Sequence, residues 1–187
     1  MRHSIAGVLL LAGLFVALPL RAQERFVSRF EAYAGYEYIR FNINANVPGQ
    51  APTQRFNGNG GGGELIYDLN KWLSAVGDVS GVWATNSTSA GAAIPYLFGP
   101  RVNIRPSKVT PFVQVLFGGS VTSSGIKTIG WQNHFAMTAG GGIDVRVSKH
   151  FSIRPLQVDY FLTKIPDGIN NRQNNLRVGT GIVFRFD

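Results

Sequence analysis

The chain has 187 residues, 18 of them Lys or Arg against 10 Asp or Glu, and carries a formal net charge of +8. It contains no cysteine, which excludes disulfide bonds, thiol catalysis and lipid attachment through a cysteine. Charged residues make up 15% of the sequence, below the quarter or so usual in soluble domains. No basic cluster with interleaved aromatic residues indicates a nucleic-acid partner.

The N-terminal segment resembles a secretory leader. Arg2 and His3 precede a nearly unbroken apolar run over residues 5–20, and Ala22 supplies a small residue ahead of a cleavage point. This layout is typical of a signal peptide. We expect residues 1–22 to be a signal peptide and residues 23–187 to form one domain. An uncleaved membrane helix is the alternative, disfavoured because the run is short for a span.

Eight segments then alternate apolar and polar residues, as amphipathic strands do. They are predicted at residues 30–41, 54–67, 72–83, 94–104, 109–120, 133–147, 151–162 and from 176 onward. Short turns at residues 68–71, 105–108 and 147–150 alternate with longer connections rich in Gly, Ser, Asn and Pro. Pro100 interrupts the fourth strand and predicts a β-bulge there, because proline cannot donate a ladder hydrogen bond.

The last segment shows the alternation most clearly. From Leu176 to Phe186 the even positions are apolar except for Thr180, whereas the odd positions include Arg177 and Arg185. Strands of about 9–11 residues with one apolar face can cross a membrane. The sequence therefore predicts an all-β, eight-stranded antiparallel up-and-down transmembrane β-barrel, with short periplasmic turns and long extracellular loops. A soluble lipocalin-like barrel, with its apolar face inside, is the alternative.

The polar face of the predicted strands carries nearly balanced charges. Charges held away from water must pair, and the interior of an eight-stranded barrel is just wide enough for side chains to fill it. We therefore expect an ionic network that closes the lumen, with a small gated ion path as the alternative. The residues predicted in this network are Glu31, Glu37, Glu64, Asp78, Arg101, Asp144, Arg146, Asp159, Arg177 and Arg185. Arg40 and Arg154 are predicted outside, at strand ends, where their stems can reach lipid headgroups.

Three stretches of the sequence, residues 60–81, 96–119 and 135–163, resemble the OmpA-like eight-stranded outer-membrane β-barrel family. The resemblance implies a place in a Gram-negative type of outer membrane, contact with its lipid and lipopolysaccharide, and insertion by the barrel assembly machinery. It also implies a task among structural barrels, adhesins, stress-linked surface proteins and weak channels. The family's C-terminal aromatic assembly signal is matched in part by Gly181, Phe184 and Phe186, while Asp187 departs from it.

Function is expected in the long loops, because binding residues gather on loops held by rigid scaffolds. The candidates for binding lipopolysaccharide phosphates or a host surface are Trp131, Lys127, Lys164 and Arg172, with Arg55 nearby. The alternative is that these side chains are exposed to water and have no binding role. The prediction is thus a non-enzymatic barrel with a structural or surface-interaction (adhesion or binding) role. The first alternative is a small-solute or ion pore.

A lipid A-modifying enzyme is the third alternative. His150 and Ser152 form a His-x-Ser arrangement like that of outer-membrane lipid A deacylases, but no glutamate follows Glu64 to complete a triad. No group of Cys, His and carboxylate residues has the spacing of a metal site. We therefore expect no catalytic residue, no metal and no cofactor.

Overall fold

The computed structural model describes residues 30–44, 53–85, 90–105, 108–124, 131–165 and 172–186. The predicted signal peptide and the start of the domain lie outside these residues, as do Lys127 and Asp187. Within the described segments, no helix is long and apolar enough to span a membrane.

Eight antiparallel strands form a closed barrel in which each strand pairs with its neighbour in the chain and β1 pairs with β8. The strands are β1 (Phe30–Asn44), β2 (Thr53–Asp68), β3 (Leu73–Thr85), β4 (Ala90–Asn103), β5 (Val109–Ser124), β6 (Gln132–Arg146), β7 (Phe151–Thr163) and β8 (Gln173–Phe186). Closure leaves no unpaired edge, which a lipid environment could not satisfy. The predicted fold is confirmed.

The strands extend further than predicted at the end where the long connections leave, here called the loop side; the opposite end is the turn side. β1 and β2 remain in register up to Asn44 and Thr53, although the apolar alternation stops near residue 41. Polar side chains are compatible with a ladder of backbone hydrogen bonds above the membrane, so hydropathy alone placed the strand ends too early. The barrel therefore has a polar rim on its loop side.

Charge and hydrophobicity are separated between the two faces of the barrel. Every carboxylate among the described residues is buried inside: Glu31, Glu37, Glu64, Asp68, Asp78, Asp144 and Asp159. Large apolar side chains are exposed on the outside of all eight strands, for example Leu65, Phe98 and Val113. A surface this apolar is a membrane-contacting surface, and it excludes the lipocalin-like alternative.

The predicted bulge at Pro100 is wrong. Pro100 is exposed and β4 keeps its register with both neighbours on either side of it. The bulge lies instead on β7, where the register shifts between Ile153 and Leu156 against β6 and between Arg154 and Gln157 against β8. Pro155 and Leu156 both face outward there, so the alternation of faces reverses along β7.

Candidate functional site: the lumen and the loop-side rim

The turn-side layer of the lumen holds equal numbers of carboxylates and guanidiniums. Arg105 Nη2 lies 2.9 Å from Asp68 Oδ2 and 3.7 Å from Glu31 Oε1, and Arg185 Nε lies 2.9 Å from the same Glu31 oxygen. Ser74 donates a 2.5 Å hydrogen bond to Asp68. The turn-side mouth is therefore filled by two carboxylates and two guanidiniums.

Above this layer, Glu64 joins two arginines from opposite sides of the barrel. Its Oε2 lies 2.5 Å from Arg101 Nη2 and 2.7 Å from Arg154 Nη1. Arg154 also pairs with Asp144 at 2.7 Å. Both guanidiniums contact the Phe112 ring, with Arg101 Cζ at 4.1 Å and Arg154 Cζ at 4.5 Å from its centroid. Stacking shields the faces of both guanidiniums while their edges bind carboxylates.

A second cluster at mid-height gathers three carboxylates around Arg177. Arg177 Nη1 lies 3.0 Å from Asp78 and 3.7 Å from Glu37, and Nη2 lies 3.0 Å from Asp159. All four side chains are almost fully buried. Together with the Glu64 cluster they fill the middle of the lumen with ion pairs.

An apolar layer, absent from the sequence prediction, covers the ionic layers on the loop side. On β1, the inward-facing positions after Glu37 are Ile39 and Phe41, and on β7 the inward-facing position after Asp159 is Phe161. These residues belong to a larger cluster of buried side chains that is not confined to the loop side, because Ile66 and Val76 pair between Asp68 and Glu64. The cluster contains Ile39, Phe41, Ile66, Val76, Val82, Ala93, Leu97, Leu116, Ala136 and Phe161. The ion pairs of the lumen thus lie toward the turn side, whereas apolar side chains together with Ser80, Ser120 and Thr138 line it toward the loop side.

The structure places most of the predicted lumen residues where the sequence analysis put them. Glu31, Glu37, Glu64, Asp78, Arg101, Asp144, Asp159, Arg177 and Arg185 are buried on the inner face. Arg146 is half-buried at the last position of β6. The prediction that Arg154 faces the lipid is wrong, because the bulge at Pro155 turns it inward, where its exposure is 0%. Pro155 itself was the sequence signal for this reversal.

The loop-side rim carries repeated tyrosine–asparagine hydrogen bonds on the outer surface. Each pair joins the phenol of one strand to the carboxamide of another, so both polar groups find a partner at the edge of the apolar band. The pairs are Tyr36–Asn59, Tyr38–Asn57 (2.8 Å), Tyr96–Asn133 (2.8 Å) and Tyr160–Asn174 (2.5 Å). Sequence analysis missed them because the partners become neighbours only through the strand register.

The connection between β7 and β8 is fixed at its base by Gln173. The side chain of Gln173 accepts a 2.9 Å hydrogen bond from the Ile165 amide and donates a 2.8 Å bond to the Ile165 carbonyl. Asn175 accepts a bond from the Asn42 amide at 2.9 Å, which ties β8 to β1. This loop therefore leaves the barrel from a hydrogen-bonded base.

The predicted loop candidates that lie within the described residues occupy exposed positions at this rim. Trp131 is 58% exposed immediately before β6. Lys164 is exposed with its Nζ 5.5 Å from the centre of the Phe135 ring. Arg172 is exposed and donates a 3.4 Å hydrogen bond to the Tyr160 hydroxyl. Arg55 is exposed on β2.

The residues of the predicted assembly signal lie on β8 next to β1 and β7. Phe184 packs edge-on against Phe151 and against Phe186, with ring centres 4.9 and 4.7 Å apart. Gly181 lies opposite Gly35, and a Cβ on Gly181 would collide with the backbone of β1. The aromatic residues form part of the turn-side surface of the apolar band.

His150 and Ser152 do not form a catalytic pair. Ser152 is 1% exposed inside the barrel, where it accepts a 2.5 Å hydrogen bond from Arg185. His150 is exposed and stacks against Phe184 on the outer surface, at 6.4 Å between ring centres. Since the serine is buried inside and the histidine lies outside, the histidine is not placed to act as its base.

A closed barrel with a charged interior, an apolar exterior and a polar rim on one side is the architecture of an outer-membrane protein. The sequence matches the model of the outer membrane protein beta-barrel domain over residues 7–184, and the chain belongs to this family. The predicted family is thereby confirmed, and family membership indicates the outer membrane of a Gram-negative type of cell. No curated protein matches the sequence.

Solved structures with the same fold include Neisserial surface protein A, with a TM-score of 0.65 and 12% identity, covering 87% of this chain and 100% of that one. Ail, the attachment invasion locus protein of Yersinia pestis, has a TM-score of 0.54 and 14% identity, covering 83% of this chain and 98% of that one. The N-terminal β-barrel domain of Pseudomonas aeruginosa OprF has a TM-score of 0.50 and 11% identity, covering 85% of this chain and 98% of that one. At these identities the likeness extends to the fold alone.

Proposed function

We propose that the protein is a non-enzymatic outer-membrane barrel that stabilises the membrane surface and binds a ligand through its extracellular loops. The observation that carries this proposal is the filled lumen. Two ionic layers and an apolar layer occupy the interior from the turn side to below the rim. With the interior occupied, the loop side is the surface on which an external ligand can be bound.

The alternatives find less support. An ion pore needs a continuous hydrated path, whereas buried side chains such as Ile39, Leu97 and Phe161 occupy the lumen. A lipid A-modifying enzyme needs a base beside its nucleophile, and Ser152 faces away from His150. The non-enzymatic role is accordingly the stronger proposal.

The hydrogen-bonded base of the β7–β8 loop favours binding there. Because Gln173 fixes both strands below the loop, less conformational freedom is lost when a ligand binds. Lys164 and Arg172 flank this base and offer positive charge. One solved structure holds Ail of Yersinia pestis in complex with the heparin analogue sucrose octasulfate, a polyanion. We therefore propose a sulfated or otherwise anionic surface glycan as the ligand class.

The experiment is the variant K164Q/R172Q, which removes the two cations beside the loop and preserves Gln173 and both strands. Binding of whole cells to a heparin-coated surface should fall about tenfold if these cations contribute one or two charge-assisted contacts. The matched control is K71Q/K149Q, which removes the same charge from exposed positions on the turn side. Unchanged binding in the first variant, with heat-modifiable mobility on a gel retained in both, would remove the β7–β8 loop from the proposal.

The aromatic residues at the end of β8 favour the barrel assembly machinery as a partner. We infer that Phe184 and Phe186 serve as the signal read by the barrel assembly machinery, as the family resemblance implies. Both rings point outward on the last strand of the barrel. Amounts of folded protein in outer membranes should drop in Phe186→Ala and remain at the wild-type level in Phe30→Ala, an aromatic deletion at the paired position of β1.

A further inference from the structure

The turn between β2 and β3 presents a lysine from a hydrogen-bonded frame. The amides of Leu69 and Asn70 both donate hydrogen bonds to the Leu73 carbonyl, at 2.9 and 3.1 Å. The Asn70 side chain accepts bonds from the amides of Trp72 and Leu73, at 2.9 and 2.8 Å. Lys71 lies within this frame and is exposed. The backbone that carries Lys71 is therefore fixed by local hydrogen bonds.

The turn between β6 and β7 repeats this construction. The amides of Val147 and Ser148 both donate hydrogen bonds to the Phe151 carbonyl at 3.0 Å. Ser148 Oγ accepts a 3.1 Å bond from the Phe151 amide. The exposed Lys149 therefore takes the position that Lys71 has in the other turn.

The side chains that flank the two lysines are also alike. Two positions before each lysine stands an exposed apolar residue, Leu69 in one turn (57% exposed) and Val147 in the other (64%). The residue after each lysine carries a ring on the outer surface. These rings are Trp72, which is 57% exposed, and His150, which stacks on Phe184. Each turn thus presents one apolar side chain, one ammonium group and one ring.

The third short turn places another lysine at the same end of the barrel. Lys108 is exposed directly before Val109, an apolar residue that is also exposed. The carboxylates nearest this end, Glu31 and Asp68, are buried in the lumen with guanidinium partners. All seven carboxylates of the described residues are inside the barrel, so the turns present positive charge to their surroundings.

We propose that the three turns bind anionic glycerophospholipids of the periplasmic leaflet, with Lys71, Lys108 and Lys149 contacting the lipid phosphates. Short turns lie on the periplasmic side of this architecture. A lysine next to exposed apolar and ring side chains stands where hydrocarbon meets headgroups, which is the level of the phosphates. Each cation at that level attracts anionic lipid.

A lipid fits these turns better than an anionic polymer of the cell wall does. The polymer would contact the lysines and leave Leu69, Trp72 and Val147 in water. A phospholipid meets all three kinds of group, because its phosphate binds the ammonium, its acyl chains contact the apolar side chain, and the ring lies at the interface between them. The proposal shares no residue with the glycan proposal and does not depend on it.

The test measures which lipid lies beside Trp72. The substitutions W83F/W131F leave Trp72 as the single tryptophan of the chain. This parent protein is purified from outer membranes and reconstituted in vesicles of phosphatidylcholine and phosphatidylglycerol, with brominated acyl chains on one lipid or the other. Bromine quenches a neighbouring tryptophan, so the two series give the relative association constant of the two lipids at the turn.

We expect phosphatidylglycerol to be preferred about fivefold in the parent protein, and the preference to fall to within about twofold of parity in K71Q/K149Q. K71R/K149R keeps the charge and should keep the preference. The matched control K164Q/R172Q loses the same charge on the loop side and should also keep it. If K71Q/K149Q fails to fold, the parent itself provides a second test, because its preference should disappear in about 1 M salt.

Several outcomes would overturn the proposal. One is an equal preference in the parent and in K71Q/K149Q, and another is an equal loss in K164Q/R172Q, which would indicate a general charge effect. Loss of the preference in excess inorganic phosphate would assign the lysines to a soluble anion. Binding of purified peptidoglycan that K71Q/K149Q abolishes, with lipid preference unchanged, would assign them to the cell wall. Heparin binding is read from K164Q/R172Q, so a failure of the glycan proposal remains distinguishable.

Discussion

At the scale of single residues, Arg154 shows how position decides the energetic role of a charge. It pairs with Glu64 and Asp144 inside the barrel and its guanidinium stacks on Tyr33 at 4.2 Å. Arg40 carries the same charge on the outer surface, where water and headgroups solvate it. A buried charge whose partner is removed costs several kcal/mol, whereas an exposed charge contributes little.

Arg154→Met should therefore lower the free energy of unfolding by about 3 kcal/mol, because the buried Asp144 loses its guanidinium partner. Arg40→Met is the matched control and should change stability by less than about 0.5 kcal/mol in detergent. Urea unfolding followed by tryptophan fluorescence measures both. Equal effects of the two substitutions would show that the lumen pairs are not the source of stability.

At the scale of strands, the alternation of apolar and polar residues predicted the number of strands, the short turns, and which face of seven strands points inward. It could do so because one face of a transmembrane barrel contacts lipid and the other lines the lumen. It failed on the turn-side half of β7, since one extra residue at Pro155 reverses the alternation. The apolar layer was also missed. Charge was used to recognise the inner face, and Ile39, Phe41 and Phe161 carry none.

The bulge on β7 should be necessary for the inward position of Arg154. Deletion of Pro155 would restore regular alternation, so Ser152 and Arg154 would face lipid if residues from Gln157 onward keep their register. We expect the fraction of folded, heat-modifiable protein to fall severely. Pro155→Ala keeps the extra residue and should fold at near wild-type yield. A deletion variant that folds as well as the wild type would contradict this role of the bulge.

At the scale of the whole molecule, the lumen is organised in layers of different chemistry. Ion pairs fill the turn-side and middle layers, an apolar layer follows, and polar residues such as Gln173 and Asn175 form the rim. Buried side chains thus occupy the described lumen from the turn side to the rim, as the proposed closed body requires.

The wild-type protein in planar lipid bilayers should accordingly show no discrete single-channel steps at physiological salt. Buried apolar side chains such as Ile39, Phe41 and Phe161 stand in the way of any ion that enters from the loop side. Current recordings over long intervals, with a known porin as the positive control, would check this expectation. Steps whose size changes in Asp78→Ala or Arg101→Ala would show that ions pass the charged layers, and the pore would then be the better account.

The filled lumen below the rim also affects how the sequence of such a protein can vary during evolution. The barrel closes through its own strands and their inward side chains, and the segments between β1 and β2, β3 and β4, β5 and β6, and β7 and β8 connect these strands. Lengthening a surface loop costs little in free energy. Mutation in these segments can thus evade antibodies or phage while the body stays intact. The same independence makes the barrel a carrier into which foreign peptides could be grafted for display on a cell.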